Sequence, residues 1–322
     1  MSRLLLVAGY ARAWYSAGSV ARLPWIVRRS AVVACIVDLP LPDAFLRSPA
    51  MTAEQALRDG DLASTLAQLK QRVRDNPADA KHRVFLFQLQ AVLGDWQRAL
   101  DQLNVLGDLD ALALPMVQTY REVIQCELLR AEIFAGNKSP LVLGEPQPWF
   151  AWLLQSLQAG AQGNRAQATE LRERAFEAAE ATSGSINDQP FEWLADADSR
   201  LGPVLEVMMN GRYYWVPFTR ISKIDIEKPA DLRDVVWLPA QFTWSTGGET
   251  VGFIPTRYPG SEACDDAAVR LGRKTIWQGE DGEYFGLGQR VLASDAAEYS
   301  LMDVREIRFD GDPPPEAGTS DG

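Results

Sequence analysis

Two Gly-Asp pairs, Gly60-Asp61 and Gly94-Asp95, stand 34 residues apart. Each opens a run with an apolar residue every three or four positions, GDLASTLAQL and GDWQRALDQL. Glycine supplies the left-handed backbone that ends one helix. The aspartate that follows accepts from the free N–H groups that start the next. A 34-residue period of helix–turn–helix units is the tetratricopeptide signature, in which hairpins stack because none can bury its apolar face alone. Such arrays bind other proteins, so the spacing predicts a scaffold before it predicts a catalyst.

The pattern extends through about residue 182. Leu62, Leu66, Leu69 and Val73 form one helical stripe, stopped at Asp75-Asn76-Pro77. Phe85, Leu86, Leu89 and Leu93 form the next, and Trp96, Ala99, Leu100, Leu103 and Leu106 the one after Gly94. A long helix from Val117 to Phe134 ends at Gly136-Asn137, and a last pair meets at Gly163-Asn164. The later turns drift from the 34-residue period, so the array is degenerate, about three hairpins long. The aromatic residues Phe85 and Trp96 read first as core and second as candidate contacts on a binding groove.

Residues 1–50 differ from the rest. They hold six Arg, two Asp and no Lys, Glu, Asn or Gln. Their apolar runs, Leu4–Ala8 and Ala31–Val37, are too short to span a bilayer. Met51 opens the helical pattern, so 1–50 is expected to be a non-native or disordered extension, with an organelle-type leader as the other reading of that composition. The chain as a whole carries a net charge of −11. That balance does not suit nucleic acid or an anionic membrane surface, both of which need clustered Lys and Arg. Cys35, Cys126 and Cys264 are scattered, and His82 is the single histidine. Zinc sites and histidine-based triads are therefore not expected, and no cofactor or metal is.

From Arg200 the period changes. PVLEVMMNGRYYWVPF places Asn210-Gly211 between two apolar runs, a strong hairpin signal because both central residues take positive φ. Further strands are expected at Ser222–Ile226, Val235–Leu238, Val251–Pro255, Thr275–Gln278 and Ile307–Phe309, with a short helix over Asp265–Leu271. The fold class is therefore α+β in two domains. A tetratricopeptide-like helical domain (51–182) leads through a linker (183–200) to a compact, mostly antiparallel sheet domain (201–310) and a disordered tail (311–322). Catalytic motifs are weak. GLGQRV (Gly286–Val291) lacks the third glycine and the following helix of a dinucleotide loop. Ser261 is not on a nucleophile elbow.

The strings RLGPVLEVMMNGRYYWVPF, DLRDVVWLPAQF, FIPTRYPGSE, RLGRKTIW, GLGQRVL and LMDVREIRF, in that order, resemble the ImpE family, also called SciE or TagJ. The match runs from about Met51 to Asp310. The resemblance implies a cytoplasmic, non-enzymatic adaptor of bacterial type VI secretion. Its partner would be the N-terminal helix of the small sheath subunit TssB, which pairs with TssC. Through it the adaptor would reach the sheath-recycling ATPase ClpV. No catalytic residues come with the family.

The segments most worth testing are Thr256–Glu262 and Asn210–Trp215. Arg257 and Glu262 are expected as a structural ion pair, with Tyr258 between them. Tyr213 and Trp215 share one face of a strand and Tyr214 the other. An exposed Tyr213/Trp215 face would be a hot-spot candidate. The competing expectation is an enzyme with a small-molecule site in the sheet domain, which would need convergent polar groups around an open cleft.

Overall fold

The computed structural model describes residues 52–279 and 283–311. The expected N-terminal extension and, apart from Gly311, the expected tail lie outside them. Among the described residues seven α-helices come first: α1 (Ala53–Arg58), α2 (Leu62–Asp75), α3 (Ala80–Val92), α4 (Trp96–Leu109), α5 (Leu114–Phe134), α6 (Pro148–Ala161) and α7 (Arg165–Ala178). They alternate as antiparallel hairpins. Gly60, Gly94, Gly136 and Gly163 all take φ between 70° and 82°, which ends each helix at the expected place. Asp61 caps α2, accepting from the Ser64 N–H at 2.8 Å. Asp95 makes no such bond to α4; it accepts from Arg98 instead, at 3.0 Å. Among the described residues no helix is long and apolar enough to cross a membrane.

The second half is a mostly antiparallel sheet. Its strands are β1 (Leu141–Val142), β2 (Gly184–Ile186), β3 (Gln189–Phe191), β4 (Leu194–Asp196), β5 (Val204–Met209), β6 (Arg212–Pro217), β7 (Ile221–Ile226), β8 (Trp237–Trp244), β9 (Glu249–Pro255), β10 (Thr275–Gln278), β11 (Phe285–Gly288), β12 (Val291–Ser294), β13 (Glu298–Ser300) and β14 (Glu306–Phe309). Nine form one sheet in the order β1-β6-β5-β9-β8-β7-β14-β2-β3, flanked by β10-β11 and β13-β12-β4. Among the described residues only β1 pairs in parallel, with Tyr214 and Trp215 of β6. The Asn210-Gly211 hairpin forms as expected, with φ of 51° and 68°.

The expected linker 183–200 is instead part of the sheets. Asn187 and Asp188, at φ 46° and 64°, make a second two-residue turn between β2 and β3. Those strands are three residues each, with one large apolar side chain apiece, so they are too short to show an alternation. Pro190 is tolerated because β3 is an edge strand. Apart from the two residues of β1, sheet structure therefore begins at Gly184, not 201. The string GLGQRV forms β11 and the start of β12. A Cβ on Gly288 would fall 1.9 Å from the Lys274 carbonyl oxygen, so glycine serves close strand approach there, not a phosphate.

Every residue of β5 is buried, because both faces of the sheet are covered. Alternation sends Val204, Glu206 and Met208 towards the helices, and Leu205, Val207 and Met209 into a second core behind the sheet. The helix-side core runs without a break from Leu69, Phe87 and Val117 to Trp215 and Trp237. Tyr120 on α5 sits 5.6 Å, ring to ring, from Phe87, Trp237 and Phe253. The inner face of the helical array is thus filled by the chain's own sheet.

Candidate functional site

Four of the sequence-selected residues converge on the seam between helices and sheet. Trp96, Arg257, Tyr258 and Glu262 line a cleft of about 200 Å³ together with Glu127, Arg130 and Val236. Much of that space is open to solvent, and the room left for a bound group is of the order of a single water, far short of a small-molecule pocket. Arg257 reaches it on the chain after β9. Arg130 and Glu127 reach it from one face of α5, three residues apart, as facing helix positions require.

Beneath the cleft lies a buried ion network. Glu206 on β5 accepts from Arg130 Nε at 2.6 Å and from Arg130 Nη2 at 3.0 Å. It also accepts from Arg290 Nη2 and from the Tyr213 hydroxyl. Tyr213 in turn accepts from Trp215 Nε1 at 2.7 Å. Arg290 pairs with Asp196 as well and donates to the Pro255 carbonyl at 2.9 Å. Asp196 accepts from the Tyr258 hydroxyl at 2.9 Å and from the Asp198 N–H at 2.8 Å. Trp237 Nε1 donates to Glu127 at 2.9 Å.

Burial alone would raise the Glu206 pKa, but the guanidiniums of Arg130 and Arg290 outweigh it and hold the carboxyl at about 2. Burial pushes Asp196 up to about 6 against the pull of Arg290, so it is still ionised at neutral pH. Burial also raises Glu127. Each carboxylate oxygen of Glu206 and Asp196 already accepts at least one bond. The network therefore welds α5 to the sheet and presents no open carboxylate to a ligand.

Tyr213, Trp215 and Tyr258 have no exposed surface, and Arg257 has 4%. The Tyr213/Trp215 face is turned inward onto Phe134 and Phe150. The condition for a hot spot there is not met, since a partner cannot touch a side chain that has no accessible area. Phe85, Trp96, Tyr214 and Glu262 are half-buried. Phe85 and Trp96 pack on the helix-side core, with Trp96 5.9 Å from Trp237, while Tyr214 packs on the second core.

The Arg257–Glu262 ion pair is not what Arg257 makes. Its guanidinium donates to the Val92 carbonyl at 2.9 Å and to that of Arg270, while burial lowers its pKa to about 10. Glu262 lies over the α3–α4 turn, where a Cβ on Gly94 would meet its Cγ at 2.5 Å. Arg273 acts in parallel on the other repeat, donating to the Arg58 and Leu57 carbonyls at 2.8 and 3.1 Å. The carbonyl ends of α1 and α3, which have no partners within their own helices, are therefore closed by arginines from the sheet half.

Sequence reading did not single out Glu127, Arg130, Glu206 and Arg290, and it reads the adjacent acids Asp196 and Asp198 as solvated, whereas both are buried. One signal was available. Glu206 is the sole charged residue in the strand VLEVMM, on the same side as two apolar neighbours. Charge at such a position calls for a buried partner.

Helical hairpins sealed onto a largely antiparallel sheet through a buried ion network define the class of molecule. Residues 188–308 match the ImpE protein family. The chain is 52% identical over 263 residues to the type VI secretion system accessory component TagJ of Pseudomonas aeruginosa, covering 82% of this chain and 92% of that protein. The X-ray structure of protein VPA1032 from Vibrio parahaemolyticus superposes with a TM-score of 0.74 at 26% identity, over 80% of this chain and 97% of that one. The chain belongs to the ImpE family, whose TagJ member it resembles over most of its length.

Proposed function

We propose that this chain is a non-enzymatic accessory protein of a bacterial type VI secretion system. In this reading it is a cytoplasmic adaptor that binds the N-terminal helix of the small sheath subunit, TssB, and through TssB and TssC acts on sheath assembly or on its recycling by ClpV. The observation that supports it is the 52% identity to TagJ across 92% of that protein. The helical half is read as a degenerate tetratricopeptide-like array, a fold suited to holding a partner helix by apolar anchors at i, i+3/4 and i+7. The acidic chain favours a partner of opposite charge, chiefly by speeding encounter.

Calorimetric titration of the full chain with a synthetic TssB N-terminal helix tests the proposal. Saturable heat at micromolar concentration is expected. No heat at high micromolar concentration would remove the adaptor reading.

A further inference from the structure

With the inner face of the array filled, docking has to use an outer surface. Leu109, Leu112 and Leu114 lie within six residues at the α4–α5 turn and are 44%, 90% and 40% exposed. Ala111 and Pro115 beside them are exposed too. The other large exposed apolar side chains among the described residues, Leu128, Leu141 and Val251, stand on three separate elements. The turn itself does not use the Leu112 side chain. Asp110 accepts from the Leu112 N–H at 2.9 Å, and Pro115 starts α5. Leu112, nine-tenths exposed, contributes almost nothing to the monomer, and with the half-exposed Leu109 and Leu114 beside it forms an apolar cluster of the kind that marks a contact surface.

The turn is well placed. The Gly60 and Gly94 turns face the sheet half. Antiparallel alternation puts the α4–α5 turn at the opposite end of α4 from the Gly94 turn. It is also one-signed. Between residues 99 and 120 the chain carries Asp101, Asp108 and Asp110 and no Lys or Arg. A second copy docked there would set like charges together, whereas a cationic partner would be drawn in.

We propose that the ridge Leu109–Leu114 with its aspartate rim is the docking surface for an amphipathic helix that carries Lys or Arg beside its apolar stripe. This rests on the adaptor reading and locates its contact.

The test uses the full chain and three variants, Leu112→Asp, Asp108→Arg and Val251→Asp, each titrated with the TssB helix. Asp108 is exposed and Val251 is a remote exposed control. Expected results are binding at least about tenfold weaker for Leu112→Asp, a loss of about threefold for Asp108→Arg, no change for Val251→Asp, and unchanged melting in all three. If the parent binds and both ridge variants bind equally well, the ridge is wrong and the adaptor reading stands. If the parent does not bind, both are wrong. If the parent sediments as a dimer that Leu112→Asp breaks, the ridge joins two copies and the helix assignment is overturned.

Discussion

Glu206 carries the heaviest load of any single side chain. Two guanidiniums and a phenol converge on it at zero exposure. Replacing one member of a buried ion network leaves the others charged and unpaired, at a cost of about 3–5 kcal/mol. Glu206→Gln is therefore expected to lower stability in denaturant titration by that order. The pH dependence has a definite sign. The Glu206 pKa is depressed from 4.5 to about 2. Its contribution is thus complete above about pH 4.5 and lost as pH falls through 2. Asp196, raised to about 6, works in the other direction, giving its contribution below about pH 4 and losing it as pH rises through 6. Melting curves from pH 6 to 2 should show an acid limb in the parent between 4.5 and 2 that is much reduced in Glu206→Gln. An identical limb in both would show that other carboxylates carry it.

At the scale of elements, the two Gly-Asp turns look alike in sequence and differ in use. Asp61 caps α2, while Asp95 gives its side chain to Arg98 and leaves α4 uncapped. Removing a cap costs about 1 kcal/mol, and an exposed ion pair contributes less than that. Asp61→Ala is expected to cost about 1 kcal/mol and Asp95→Ala less than half as much, read as shifts in the urea midpoint. Equal losses would mean that Asp95 caps α4 in solution. Both turns are glycine-dependent, and Gly94 doubly so. It has φ of 70° and the Glu262 side chain rests where a Cβ would stand. The 34-residue repeat therefore has a second use here, since it sets two turns in register against the segment that follows β9.

For the whole molecule, one apolar core crosses from helices to sheet. Unfolding is expected to be a single transition in which far-ultraviolet circular dichroism and tryptophan fluorescence coincide. Residues 52–182 expressed alone should lose that cooperativity, because Phe87, Tyr120 and Phe134 would face water. Two separated transitions would mark the halves as independent. Helix positions, the Asn210-Gly211 hairpin and most longer strands were legible in the sequence, because period and turn chemistry are local properties. The β2–β3 hairpin was not, since its three-residue strands are too short to show a period. Nor was the fate of Tyr213, Trp215 and Tyr258, whose sequence shows a face without showing what covers it. The sequence by itself determined the helices, the central hairpin and the family. Only the tertiary structure decided that the aromatic faces close on one another around Glu206 and leave the leucines of the α4–α5 turn outside, because burial depends on which surfaces meet across long chain separations.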